Sequence, residues 1–152
     1  MKIKLHINNE SHYNDFIRLN EKWISHHFSI EVGDIKLAQN PSSVVDKGGY
    51  ILSLVYDEEV IGVCALFNQG DGQYELARLA VDERYRRNGH GDRLITEAFN
   101  ILEANYAKKV NLMSNTKLKA ALSLYKKHGF TVLSQGEHPI YTRCNIMMEK
   151  DI

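Results

Sequence analysis

Net charge is absent from this 152-residue chain: 19 lysines and arginines balance 19 aspartates and glutamates. No broad field exists to draw in nucleic acid or a membrane surface, so any basic cluster is a local feature. Cysteine is scarce. Cys64 and Cys144 stand far apart in apolar runs that read as strands, which excludes a disulfide framework and predicts buried free thiols in a cytoplasmic protein. The histidines are scattered, and His26 and His27 are adjacent rather than a helical turn apart, so no metal site is expected. No apolar run approaches membrane-spanning length, and Met1–Leu5 lacks the apolar core of a signal peptide. Repeats, low-complexity tracts and linkers are missing too, leaving a single domain over residues 1–152 with 43% hydrophobic residues to build its core.

What stands out instead is the stretch from Tyr74 to Leu94. Tyr74–Val81 reads as a buried strand, Asp82–Gly91 as a basic loop with two glycines, and Asp92 onward as a helix. Such a loop offers free backbone N–H groups, and the helix N-terminus adds about half a positive charge. Arg86, Arg87 and Arg93 add full charges, so the stretch is a receptacle for a diphosphate. A dinucleotide fingerprint would need glycine where Leu94 stands, and a Walker loop would need lysine where Asp92 follows Gly91. The pattern that fits is Arg86-x-x-Gly89-x-Gly91.

In chain order, Lys2–Ile7 alternates as a first strand, and Tyr13, Phe16, Ile17, Trp23 and Ile24 recur at helical spacing from a Ser11 cap to His27. A short helix starts at Asp34 and stops before Pro41. Tyr50–Tyr56 and Val60–Phe67 form a hairpin, and Gly70-Asp71-Gly72 turns into the Tyr74 strand, giving an antiparallel meander. Leu94, Ala98, Ile101 or Leu102, and Asn105 mark a helix face ending near Tyr106. Val110–Ser114 is then a strand, parallel to the Tyr74 strand across a helical crossover. A helix over Lys117–His128 turns Ala121, Leu124 and Tyr125 inward and stops at Gly129. Phe130–Leu133 and Tyr141–Glu149 are the last strands.

Three ordered segments carry a resemblance. Arg86-x-x-Gly89-x-Gly91 is similar to the diphosphate loop of the GNAT family of N-acetyltransferases. The segment from Asn115-Thr116 through Ala120 to Leu124-Tyr125-x-Lys127-x-Gly129-Phe130 resembles that family's second cofactor motif. Glu75-Leu76-x-x-Leu79-x-Val81 resembles its substrate-facing strand, and the element order matches from end to end. The resemblance implies the α+β acyl-CoA N-acyltransferase fold: a mixed, mostly antiparallel sheet of about seven strands flanked by about four helices, splayed between strands 4 and 5. In the family, acyl-CoA lies in that gap like a missing strand. Acetyl-CoA is therefore the implied cosubstrate, with no metal. Leu79, Ala80 and Val81 would meet its pantetheine arm, and Arg86, Arg87, Asn88, Gly89, His90 and Gly91 its diphosphate. Asn115 and Tyr125 would stand near the thioester. Asp92 would oppose a phosphate and is left out.

Direct acyl transfer needs a base for the amine, a stabilised thioester oxygen and a proton for the leaving thiolate. Tyr125 matches the family's proton donor, although a core aromatic would have the same helical spacing. Glu75 occupies the position where histone-modifying relatives place a catalytic glutamate, while many relatives use a water chain and an ion-paired strand glutamate would read the same. Glu75, Ala77, Leu79 and Val81 are expected on one face of the strand, with Ala77 leaving room for a substrate. His26, His27, Asp34, Tyr141 and Arg143 are candidates for the acceptor wall. Tyr141, Arg143 and Asn145 are expected to share a sheet face, where Arg143 could hold a substrate carboxylate or pair with an acid across strands. Asn40-Pro41 together with Tyr141-x-Arg143-x-Asn145 resembles a bacterial subgroup. The expectation is N-acetylation of a small-molecule or amino-acid-like primary amine, with no nucleic-acid or membrane partner and a homodimer allowed. Its rivals are a protein lysine or N-terminal acetyltransferase and a non-catalytic acyl-CoA sensor.

Overall fold

The computed structural model describes residues 2–152. Seven strands form one sheet: β1 (Lys4–Ile7), β2 (Tyr50–Tyr56), β3 (Glu59–Gly70), β4 (Gln73–Val81), β5 (Lys109–Ser114), β6 (Thr131–Gln135) and β7 (Ile146–Asp151), in the order β1-β2-β3-β4-β5-β7-β6. Every pairing is antiparallel except β4 with β5, as the helical crossover between them requires. Helices α1 (Tyr13–His27) and α3 (Ser43–Asp46) close one face over Phe16, Leu19, Val44, Ile51, Val63 and Ala65. Helix α4 (His90–Ala104) closes the other, where Leu94, Ile95, Ala98 and Leu102 meet Leu52, Leu66, Leu76 and Leu112. Among the described residues, no helix is long and apolar enough to cross a membrane.

The parallel pairing is short. Gln73, Tyr74 and Glu75 pair with Lys109, Val110 and Asn111, and beyond Glu75 the two strands part. Just past that point β4 bulges: Ala65 faces Ala77 and Val63 faces Ala80, so Arg78 and Leu79 stand opposite Cys64 alone. Arg78 takes a left-handed backbone, φ 60°, and its carbonyl accepts a 3.1 Å hydrogen bond from the Asn20 amide of α1. The inserted residue reverses the side-chain parity. Ala77 and Ala80 lie over the α1 face, whereas Leu79 and Val81 pack into the α4 core with Leu76. The single face expected for Glu75, Ala77, Leu79 and Val81 is therefore split in two.

Helix α2 (Val32–Gln39) begins two residues before the expected Asp34, because Asp34 accepts the Glu31 N–H at 2.8 Å across its first turn. Helix α5 (Lys119–Lys127) ends at a left-handed Gly129, φ 93°. The expected strand over Tyr141–Glu149 is a loop until Ile146. Its backbone donors are taken elsewhere: Tyr141 N–H by His138, Thr142 N–H by Glu31, and Asn145 N–H by the Ser114 carbonyl. Asn145 faces Thr116, while Arg143 turns to α2, so the two do not share a sheet face. Cys144 lies in this loop, half-buried, and Cys64 alone is a buried strand thiol.

One carboxylate joins these parts. Asp34 accepts from Arg143 Nη1 at 2.6 Å and Nη2 at 2.7 Å, and also pairs with Arg78 Nη1. Arg143 does pair with an acid, but one from a helix rather than a neighbouring strand. Burial by itself would raise the Asp34 pKa; hydrogen bonds from Arg143, the Glu31 N–H and Arg78 outweigh it and hold the group at about 2. A folded-state pKa below the unfolded value means that this stability is complete above the normal carboxylate range and drains as pH falls toward 2. Asp34→Asn should lower the unfolding free energy at pH 7 by about 3 kcal/mol, since it takes the carboxylate from Arg78 and leaves Arg143 with Glu31 alone. Urea titrations of both proteins at pH 7 and pH 3 would show the difference shrinking at the lower pH; equal stabilities at pH 7 would remove Asp34 from this role.

Candidate active site

Where β4 and β5 part, the sheet opens into a cavity of about 160 Å³. Glu75, Ala77 and Arg78 line it from β4, Asn20 and Trp23 from α1, Tyr125 from α5, and Tyr141 and Arg143 from the 136–145 loop. Desolvation lifts the Glu75 pKa to about 7, with the positive charge of Arg78 partly opposing the rise. A carboxylate in this range is matched to proton abstraction near neutrality. Burial pushes the Tyr125 phenol up to about 12, with the Cys64 thiol adding to the shift, so Tyr125 keeps its proton throughout the physiological range. A carboxyl that titrates near neutrality and a phenol that stays protonated thus line one space.

A second cleft, about 200 Å³, lies along the loop before α4 and is lined by Val81, Arg86, Arg87, Gly89, His90 and Gly91, among others. The backbone N–H groups from Arg87 through Asp92 donate to no acceptor among the described residues. Gly89 is left-handed, φ 77°, and a Cβ there would point into open space. Gly91 has another reason to be small, since its Cβ would come within 3.2 Å of Leu124 on α5. Arg86 and Arg87 are exposed, and Asn88 braces the turn by donating to the Tyr85 and Arg86 carbonyls at 3.0 Å. His90 is buried and its Nε2 has no partner among the described residues; burial, then the charge of Arg93, lowers its pKa. Arg93 itself turns away, donating to the Ile3 carbonyl at 2.8 Å. Asp92 is paired with Lys127 at 2.9 Å and hydrogen-bonded to His128 at 2.8 Å. Free N–H groups, two exposed arginines and an open glycine fit the diphosphate of acyl-CoA.

Of the residues picked from the sequence, Glu75, Leu79, Asn115, Tyr125, Tyr141 and Arg143 come together around the first cavity. Ala80 is buried beneath the α1 face rather than lining it. Asn115 is tied down on both sides: its amide donates to the Arg143 carbonyl at 2.9 Å and its Oδ1 accepts the Lys117 N–H at 3.0 Å. That is an Asx turn, and the helix N-cap is Leu118. Asp34 stands behind the two arginines instead of lining the cavity. His27 lines neither space; its ring packs 4.9 Å from Trp23 and its carbonyl accepts from Lys117. Arg78 was missed, although a charged residue inside the apolar run from Leu76 to Val81 was the visible sign of an irregular strand. Asn20 and Glu31 had no signal, because each acts on a residue distant in sequence.

Residues 47–132 match the model of the "Acetyltransferase (GNAT) domain". The fold is similar to that of a GNAT-family acetyltransferase from Staphylococcus aureus Mu50, with a TM-score of 0.88, 17% identity and 99% of each chain covered. It is similar also to the PaiA N-acetyltransferase of Thermoplasma acidophilum in complex with coenzyme A, at TM-score 0.77, 20% identity and 100% of both chains. A GNAT acetyltransferase from Elizabethkingia anophelis with acetyl-CoA bound superposes at TM-score 0.74, with 18% identity over 99% of this chain and 98% of its own. No curated protein matches the chain. A seven-stranded sheet parted after Glu75, an N–H cradle before α4 and a domain match over more than half the sequence establish that this chain belongs to the GNAT family of acetyltransferases and is an acyltransferase.

Proposed function

We propose that the chain is an acetyl-CoA-dependent N-acetyltransferase that moves the acetyl group directly onto the primary amine of a small molecule. The observation that carries this reading is the single cavity lined by both Glu75 and Tyr125, one held near neutrality and the other held protonated. Acetyl-CoA supplies the acyl carbon and the thiolate leaving group. Glu75 takes the proton that the amine must lose to become a nucleophile. As the C–N bond forms and the C–S bond breaks, Tyr125 gives its proton to the departing sulfur, and its phenolate takes back the surplus proton of the new amide nitrogen. The bulge seats Arg78 beside Glu75, and the unpaired edge of β4 past Glu75 is open to the amides of the pantetheine arm. A chain without net charge offers no broad field for a basic protein tail, which supports a small acceptor.

Transfer should rise with pH along a limb centred near 7, the Glu75 pKa, because only the ionised carboxylate accepts a proton. Glu75→Gln should remove that limb and lower kcat by roughly 10²-fold or more, read as thiol release against pH; an unchanged profile would place the base elsewhere. Tyr125→Phe should lower kcat by about 10²-fold while calorimetry shows the same affinity for acetyl-CoA. Equal turnover would remove the phenol from the chemistry. Gly89→Asp should weaken acetyl-CoA binding about tenfold or more. Aspartate tolerates the left-handed backbone and so leaves the fold intact, and its charge opposes the diphosphate. Unaltered affinity would place the diphosphate outside this loop.

A further inference from the structure

The two arginines on the acceptor side of the cavity are both nearly buried, with side-chain exposures of 10% for Arg78 and 12% for Arg143. Two buried guanidinium groups share one buried carboxylate, Asp34. Glu31 reaches only Arg143, at 3.2 Å, and divides itself with the Thr142 N–H and hydroxyl. A guanidinium carries five N–H donors. Arg143 uses its terminal edge on Asp34 and Glu31, through Nη1 and Nη2, and its Nε donates to nothing among the described residues. Arg78 uses Nη1 on Asp34 and Nη2 on the Tyr141 hydroxyl at 2.8 Å, and its Nε is likewise unpaired. Neither Nε is sealed from solvent, since among the described residues the one buried side-chain polar atom without a partner is His90 Nε2. Tyr141 accepts from Arg78 and so keeps its own proton to donate.

The geometry is also stiff. Arg143 stacks on the Tyr141 ring at 4.6 Å and Arg78 lies over it at 5.5 Å. Tyr141 sits against Gly33, where any Cβ would overlap its ring. Asn20 holds the bulge that carries Arg78. The free Nε–H edges of two fixed guanidinium groups and a phenolic proton, in a site of low dielectric, form a receptor for an anion, and a planar carboxylate matches a guanidinium side edge. We propose that the acceptor amine also bears a carboxylate, which Arg78 and Arg143 bind while Asp34 holds both arginines in place. This rests on the acetyl-transfer reading above for the amine, and deepens it to amino acids as a substrate class. Glu75 and Arg78 line the same space, so ammonium and carboxylate ends of one molecule each meet an opposite charge.

The test compares amino acids with partners that differ only at the carboxylate: methionine, glutamine, phenylalanine and lysine against their carboxamides and decarboxylated amines. Thiol release by the wild-type enzyme should favour the carboxylates by roughly 10²-fold or more in kcat/KM. Arg143→Gln and Arg78→Gln should raise KM for the carboxylate acceptor and abolish the preference over the carboxamide. Calorimetry with acetyl-CoA checks that each variant is folded at its cofactor site. Equal or better turnover of the amines and carboxamides would overturn the carboxylate assignment while keeping acetyl transfer. A second arm titrates N-acetylated amino acids and their carboxamides into the wild-type protein saturated with coenzyme A. Carboxylate-selective binding that Arg143→Gln loses, in a protein that releases no thiol with any acceptor, would support the anion site and sink the transfer reading. Binding that is absent, or indifferent to the carboxylate, overturns the proposal.

Discussion

The carboxylate of Asp34 is the junction on which the arginine-bearing wall of the cavity depends. It draws together Arg78 from the middle of the sheet, Arg143 from the loop before the last strand, and the first turn of its own helix. Replacing such a buried ion pair by apolar groups is often neutral for stability, whereas removing one partner is costly. Its value here is therefore best understood as placement. With Asp34 ionised, two long flexible side chains have one arrangement each, and the loop and α2 are held against β4 at one distance.

The bulge at Arg78 does for the backbone what Asp34 does for the side chains. A regular β4 would send residue 78 to the side opposite residue 77 and continue the ladder. The extra residue turns Arg78 toward the acceptor side, reverses the parity of Leu79 and Val81, and lies just past the last parallel pair, Glu75 with Asn111. Sheets tolerate such a defect at a functional edge when something satisfies the freed groups. Asn20 does so from α1, bonding both the Phe16 and Arg78 carbonyls. Opening of the sheet, shape of the acceptor side and the position of one arginine are thus a single event.

Electrostatics divides the molecule in two. At the loop before α4, backbone dipoles and exposed arginines present positive charge to solvent, and Asp92 is drawn off to Lys127 and His128. In the cavity, desolvation acts instead: it lifts the Glu75 carboxyl toward neutrality and keeps the Tyr125 phenol protonated. One chain without net charge therefore contains both a cationic cradle and a desolvated cavity, because charge is arranged locally rather than carried in bulk.

Short-range chemistry was legible in the residues themselves. The Gly70-Asp71-Gly72 turn, the stop at Gly129, the loop with its left-handed Gly89 and the helical crossover to Val110 all depend on neighbours within a few positions, and so does the order of elements. Three outcomes depended on the tertiary structure. The face that Leu79 presents is set by a bulge that only pairing with β3 reveals. The residues from Tyr141 to Asn145 alternate like a strand but give their backbone donors to Glu31, His138 and Ser114, so they form a loop. Asp34 finds Arg78 and Arg143 at separations of 44 and 109 residues, a match that no local pattern encodes. Periodicity reports which side of an element is apolar; it cannot report which distant charge will be buried beside which, because that follows from how the elements pack.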